Sequence, residues 1–211
     1  MRIRSHDFDD GQPIPAACAF GRRGDAGEPC VFAGNRNPQL AWSDVPEGTR
    51  SFMLMCIDID VPTRADDVNQ RGREVPADLP RAEFVHWLML DIPRECRELA
   101  QGSCSDGVVA RGKRMPPGPP GARQGRNDYT GWFAGDAAMA GDWFGYDGPC
   151  PPWNDALVHR YRFQLLALDV AALDVPDDFT LADVRAAMVG RVLAEAVLTG
   201  TYTLNPALRR A

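Results

Sequence analysis

The sequence predicts a mainly β protein folded as one domain. Three observations carry that expectation. Four short runs are apolar or rich in β-branched residues: Ser51–Val61, Phe84–Ile92, Arg160–Leu168 and Val197–Leu204. Turn signals punctuate the chain at Asp10-Gly11, Pro46-Glu47-Gly48 and Asp147-Gly148-Pro149, and runs of this length between such signals read as strands. Finally, the 211 residues, 45% of them hydrophobic, suffice for one substantial core, and neither an internal repeat nor a linker divides them.

Taken in order, Ser51–Val61 (SFMLMCIDIDV) is apolar until two aspartates enter, and alternation places Phe52, Leu54, Cys56, Asp58 and Asp60 on one face. Residues 64–82 are polar, contain Pro76 and Pro80, and read as an inserted surface loop. In Phe84–Ile92 (FVHWLMLDI), His86 shares a face with Phe84, Leu88 and Leu90. A second inserted region, 111–145, carries Trp132, Phe133, Trp143 and Phe144, too apolar to leave in water. A lid, an oligomer contact (hence a homodimer) or a satellite cluster packed on the domain would each cover them. Next comes GPCPPWNDALVHRY, a proline-stiffened stretch that runs into Arg160–Leu168. There Tyr161, Phe163, Leu165 and Ala167 share a face, which His159 joins if the strand begins one residue early. One helix is well supported: Thr180 caps it, Asp183 follows three residues on, and Leu181, Val184, Met188 and Val192 form an apolar stripe. Gly190 weakens that helix, which is expected to break or turn there. Val197–Leu204 closes the set.

A formal net charge of −6 argues against a nucleic-acid partner. Lys113 is the only lysine, a skew that reads as codon bias. The first residues lack a signal-like apolar run, and no stretch approaches the roughly 18 apolar residues of a membrane span, so a soluble cytoplasmic protein without stable membrane insertion is expected. The six cysteines form neither a C-x-x-C pair nor a zinc-like cluster with histidine. They read as mostly free thiols, and no metal or other cofactor is implied.

The informative residues are ionisable groups on apolar strand faces. A buried carboxylate or imidazole is costly without a partner, so the economical arrangement brings Asp58, His86 and His159 together. Asp58 would then accept a hydrogen bond from one histidine and raise its pKa. Two histidine N–H groups and the Tyr161 hydroxyl around one cavity would make an anion site. The plainer readings are a satisfied core histidine and, for Asp60, a cap on the turn at Val61-Pro62.

Read together, NPQLAWSDVPEGTRSFMLMCIDIDVPT (37–63), FVHWLMLDIP (84–93), GPCPPWNDALVHRYRFQLLALD (148–169) and VLAEAVLTGTY (192–202) resemble the phosphatidylethanolamine-binding protein family, in its bacterial Raf kinase inhibitor-like branch. The likeness spans about residues 8–204. It implies an antiparallel β-sandwich with Greek-key connections, a few peripheral helices and a small anion-binding pocket at the sandwich edge. By motif the pocket residues fall on Asp58, Asp60, His86, Pro152, His159 and Tyr161. Ile59 and Val61 stand where the family motif has proline and alanine, and the spacer Trp153–Val158 is longer than the family's usual turn.

The expected function is non-enzymatic binding of a small anionic or phosphorylated ligand, phosphate or a phosphoethanolamine-like head group. His86, His159 and Tyr161 would donate to it, more strongly at mildly acidic pH. A regulated protein partner is a further expectation drawn from the family. The alternative is a small-molecule hydrolase using Asp–His acid–base pairs, against which the absence of a G-x-S-x-G motif or metal cluster counts.

Overall fold

In the computed structural model, which describes residues 1–208, the apolar runs pair into antiparallel sheets; residues 209–211 of the expected domain lie outside the described residues. The strands in chain order are β1 (Arg2–Arg4), β2 (Gly21–Arg22), β3 (Val31–Phe32), β4 (Leu40–Ser43), β5 (Ser51–Pro62), β6 (Arg81–Pro93), β7 (Glu98–Leu99), β8 (Arg123–Gln124), β9 (His159–Leu168) and β10 (Val192–Tyr202). Two short helices join them, α1 (Tyr129–Trp132) and α2 (Leu181–Ala187).

The main sheet has the order β10-β9-β5-β6-β8, and a second has the order β1-β4-β7. Within the main sheet β5, β6 and β8 follow one another, and β9 returns beside β5, which is a Greek-key path. One face of the main sheet carries Phe52, Leu54, Trp87, Phe163 and Leu165, which pack against Leu40, Trp42 and Leu99 of the smaller sheet. The opposite face carries Met53, Met55, Leu88, Leu90 and Leu166 and is covered by Phe179 and Val184 at α2. The fold is therefore mainly β, with both faces of the central strand β5 buried, which is why β5 reads as a nearly continuous apolar run.

Three expectations change. The chain turns at Gly190 as expected, but the helix already stops at Ala187 and Val192 does not belong to it. Gly190 has φ of +72°, which turns the chain out of the helix, and Val192 opens β10. The polar 64–82 stretch yields its last two residues to β6, because Arg81 and Ala82 pair with Pro62 and Val61. Lastly, alternation misplaces His86. Cys56 pairs with Trp87 and Ile57 with Val85, so His86 is the extra residue of a β-bulge. Leu88 and Leu90 therefore lie on the face beneath α2, and His86 does not join them.

The 111–145 region contains β8 and α1 and packs back on the domain. Trp143 and Tyr129 are buried with Phe20 and Met139, while Trp132 stays half exposed. Trp143 and Tyr129 thus form a satellite cluster against their own domain.

Candidate functional site

The site forms where β5, β6 and β9 run side by side. Asp58 stands opposite Tyr161 on β9 and Phe84 on β6, which places the carboxylate between the two histidine-bearing strands. The bulge swings His86 toward the same place, with its ring centroid 5.0 Å from that of Phe84 and 5.1 Å from that of Tyr161. A cavity of about 250 Å³ opens over them. Phe20, Phe84, Tyr129 and Phe133 wall it, and Asp58, His86, Pro151, Pro152, His159 and Tyr161 complete the lining.

His159 is held from both ends. Its Nδ1–H donates to Asp58 Oδ2 at 2.7 Å and its Nε2–H to Asp155 Oδ2 at 3.0 Å. Two carboxylate acceptors require two ring N–H groups, so the ring is an imidazolium. Burial alone would lower its pKa, but the hydrogen bonds and charges of Asp155 and Asp58 raise it to about 9. Asp155 is clamped in turn by Arg81, with contacts of 2.6 and 3.1 Å. Burial would raise the Asp155 pKa, yet His159 and Arg81 hold it below the usual carboxylate range.

The expectation that His159 donates to a ligand is therefore corrected. Both its nitrogens are spent on protein carboxylates, and its charge does not change at mildly acidic pH. Asp60 is also corrected. It is absent from the cavity lining, because Arg160 takes both its oxygens through its side chain and backbone N–H, at 2.7 to 2.9 Å. Burial works to raise the Asp60 pKa and Arg160 overcomes it, leaving it lowered.

His86 behaves differently. Its Nδ1–H donates to the Asp147 carbonyl at 2.7 Å, while the Asp147 N–H donates back to the His86 carbonyl at 3.0 Å. No hydrogen bond to its Nε2 occurs among the described residues. Burial lowers its pKa, outweighing the Asp58 charge and the Asp147 and Gly148 carbonyls, so the ring is neutral at pH 7 with an unshared pair on Nε2. The Tyr161 side chain is wholly buried and its hydroxyl faces the Asp58 carboxylate; burial and that charge raise its pKa, and the hydroxyl makes no well-formed hydrogen bond among the described residues. An orphaned buried hydroxyl at a cavity is a place for a ligand group.

Beneath His86 lies a network that the sequence did not disclose. The buried Asp147 carboxylate accepts from Lys113 at 2.6 Å, from Asn35 at 2.8 Å and from Asn127 at 2.9 Å. Burial raises its pKa against these contacts. The only lysine is thus a nearly buried ion-pair partner, which codon usage does not explain. Gly148 follows at a backbone crossing so close that a Cβ there would lie 2.1 Å from the Cys18 carbonyl oxygen. Its N–H donates to Asn35 Oδ1 at 2.8 Å.

The spacer Trp153–Val158 is equally tied down. Asn154 Nδ2 donates to the carbonyls of Asp67, Gln70 and Arg73, and its Oδ1 accepts from the Asn69 N–H at 2.9 Å. Those partners belong to the β5–β6 loop, whose Ala65, Val68 and Asn69 line the cavity. Sequence reasoning missed Asp155, Arg81, Asp147, Lys113 and Asn154. The one available signal was a solitary lysine in an arginine-rich chain. Among the described residues no group of three or more His, Cys, Asp or Glu side chains is placed to hold a metal ion. No helix among them is long and apolar enough to cross a membrane.

Residues 4–203 match the family model described as phosphatidylethanolamine-binding protein. Among curated relatives, the chain is 32% identical to the UPF0098 protein YbhB of Escherichia coli K12, covering 96% of this chain and all of that one. It is 30% identical to a UPF0098 protein of Aquifex aeolicus, over 96% of this chain and 88% of that one. Among solved structures it is similar to Escherichia coli YbcL, described as a new member of the mammalian PEBP family, with a TM-score of 0.66 and 27% identity over 96% of this chain and 97% of that one. A Chlamydia trachomatis protein described as a putative PEBP homologue gives a TM-score of 0.62 at 27% identity, over 95% of both chains.

Proposed function

Because the chain belongs to the phosphatidylethanolamine-binding protein family, we propose that it is a non-enzymatic binding protein whose cavity takes a small anionic, phosphorylated ligand such as phosphate or a phosphoethanolamine-like head group. The observation that carries this reading is the orphaned Tyr161 hydroxyl beside the unpaired Nε2 of His86. The hydroxyl donates to a ligand oxygen. Nε2 either accepts from a protonated phosphate oxygen or, once protonated, donates to a bare one. Neither arginine nor lysine lines the cavity and the His159 charge is paired with Asp58 and Asp155, so the added positive charge that meets an anion is one that His86 gains by taking up a proton. Affinity therefore rises as pH falls through the lowered pKa of His86. Asp58 and His159, charged near neutral pH, form a fixed base that sets the position of Tyr161. The aromatic walls pack on the remainder of the ligand, and an ammonium group would find them favourable.

The same geometry removes His159 from the general-base role of an acid–base hydrolase. An imidazolium that keeps its proton to about pH 9 cannot serve as a general base near neutrality. An occupied cavity, flanked by the exposed Phe32 and Trp132, is also the surface that a regulated protein partner would read. Calorimetric titration with phosphate and with phosphoethanolamine at about pH 5.5 and about pH 8 tests the proposal. Binding is expected to be tighter at the lower pH and weakened about tenfold or more by Tyr161→Phe or His86→Ala, the loss of one hydrogen bond to a charged group. Equal affinities for wild type and His86→Ala at both pH values would sink it.

A further inference from the structure

Two cysteines stand together on the cavity wall, apart from the hydrogen-bonded network beneath it. Cys30 Sγ and Cys150 Sγ lie 3.6 Å apart, although 120 residues separate them in the chain. Both line the cavity; Cys30 is exposed and Cys150 half-buried. The main chain holds them there. The N–H groups of Phe20 and Gly21 both donate to the Pro149 carbonyl, and Gly21 pairs with Phe32 across the β2–β3 hairpin, in which Cys30 immediately precedes β3. Gly21 leaves the sulfurs their room: a Cβ at that position would lie 2.6 Å from Cys150 Sγ and 2.7 Å from Cys30 Sγ.

We propose that Cys30 and Cys150 form a reversible thiol–disulfide site on the cavity wall, oxidised by low-molecular-weight disulfides and reduced again by thiols. The remaining cysteines are poor candidates. Cys18 and Cys104 are buried, with burial pushing their thiols up to about 12 and about 11, and burial also raises Cys56 and Cys96. Cys30 alone is lowered, through its hydrogen bond with Cys150, and as the more exposed of the pair it is the thiolate that attacks. Cys30 Sγ attacks one sulfur of the small disulfide and expels the first thiolate. Cys150, giving up its proton, then attacks Sγ of Cys30 in the mixed disulfide and expels the second. Two protein thiols and one disulfide thus become one protein disulfide and two small thiols. The sulfurs need to close by roughly 1.5 Å to reach bonding distance, a movement within reach of a surface hairpin. The closed bridge ties the β2–β3 hairpin to the proline rim and narrows the cavity between them.

The test is incubation of the native protein with oxidised glutathione, followed by peptide mapping. The wild type is expected to lose the Cys30 and Cys150 thiols together and to yield one cross-linked peptide that dithiothreitol resolves. Cys150→Ser is expected to accumulate a glutathione adduct on Cys30, since the resolving thiol is gone, while Cys30→Ser leaves Cys150 largely unmodified. Gly21→Ala should slow bridging by crowding the sulfurs. A lasting adduct on Cys30 of the wild type, or oxidation of the pair no faster than that of Cys96, overturns the proposal. The effect on ligand entry rests on the binding reading above and is measured separately, by phosphate titration of the reduced and bridged forms. A bridge that forms in a protein that never binds phosphate upholds the thiol site and removes only the ligand reading.

Discussion

Lys113 shows how much a single residue can carry in this chain. Its ammonium lies 2.6 Å from the wholly buried Asp147 carboxylate, whose own backbone carbonyl orients His86. Removing one partner of a buried pair leaves an uncompensated charge, a loss of about 3 kcal/mol or more. Lys113→Met is therefore expected to lower the unfolding free energy by that order, and Lys113→Met with Asp147→Asn to recover part of it. Urea unfolding of both variants checks this. A single variant as stable as wild type would show that the pair contributes nothing. By contrast, the exposed Arg114 near Asp142 sits in water, and its loss should be nearly silent.

At the scale of elements, the decisive contact lies between two loops. The β5–β6 loop is long and polar, yet one side of it walls the cavity because Asn154 collects three of its carbonyls and one of its N–H groups. Val75, buried in that loop, exchanges backbone hydrogen bonds with Asn154 and Ala156. Asn154→Ala should cost about 2 kcal/mol, since the carbonyls it serves lose their donor. It should also accelerate hydrogen exchange and proteolytic cleavage within residues 64–80, leaving the main sheet protected. Unchanged exchange in the loop would mean that it is held by something else. The bulge at His86 works on the same scale: one extra residue in β6 turns a side chain from the face beneath α2 to the cavity.

Over the whole molecule, buried ionisation sets a pH optimum. The His159 pKa is raised from 6.5 to about 9, so its stabilising contribution is complete below about pH 6.5 and is lost as pH rises through about 9. A shift of that size corresponds to something on the order of 3 kcal/mol. On the acid side the signs reverse. Asp60 and Asp155 are lowered and lose their contribution as pH falls, and the lowered His86 resists the proton that the unfolded chain accepts below about 6.5. Thermal unfolding is therefore expected to show greatest stability near pH 6.5 and a decline between there and pH 9. A melting temperature that stays flat across that interval would exclude a charged His159 in the folded state.

The sequence by itself determined β5, β6 and β9, the second half of β10, the capped start of α2 and the meeting of Asp58 with a histidine. These follow from local periodicity and from the cost of burying an unpaired charge, both of which are written in the order of residues. It also identified GPCPPWNDALVHRY as a rim, though not that its spacer grips a distant loop. Tertiary structure decided the roles. It placed Asp155 and Asp58 on the two nitrogens of His159, gave Asp60 to Arg160, and set His86 and Tyr161 on the lining of the cavity. A bulge breaks alternation without any composition signal, and hydrogen bonds spanning tens of residues depend on which loops the sheet brings together. Neither is encoded in a window of neighbouring residues, so only the folded chain reveals which polar atoms remain unpaired.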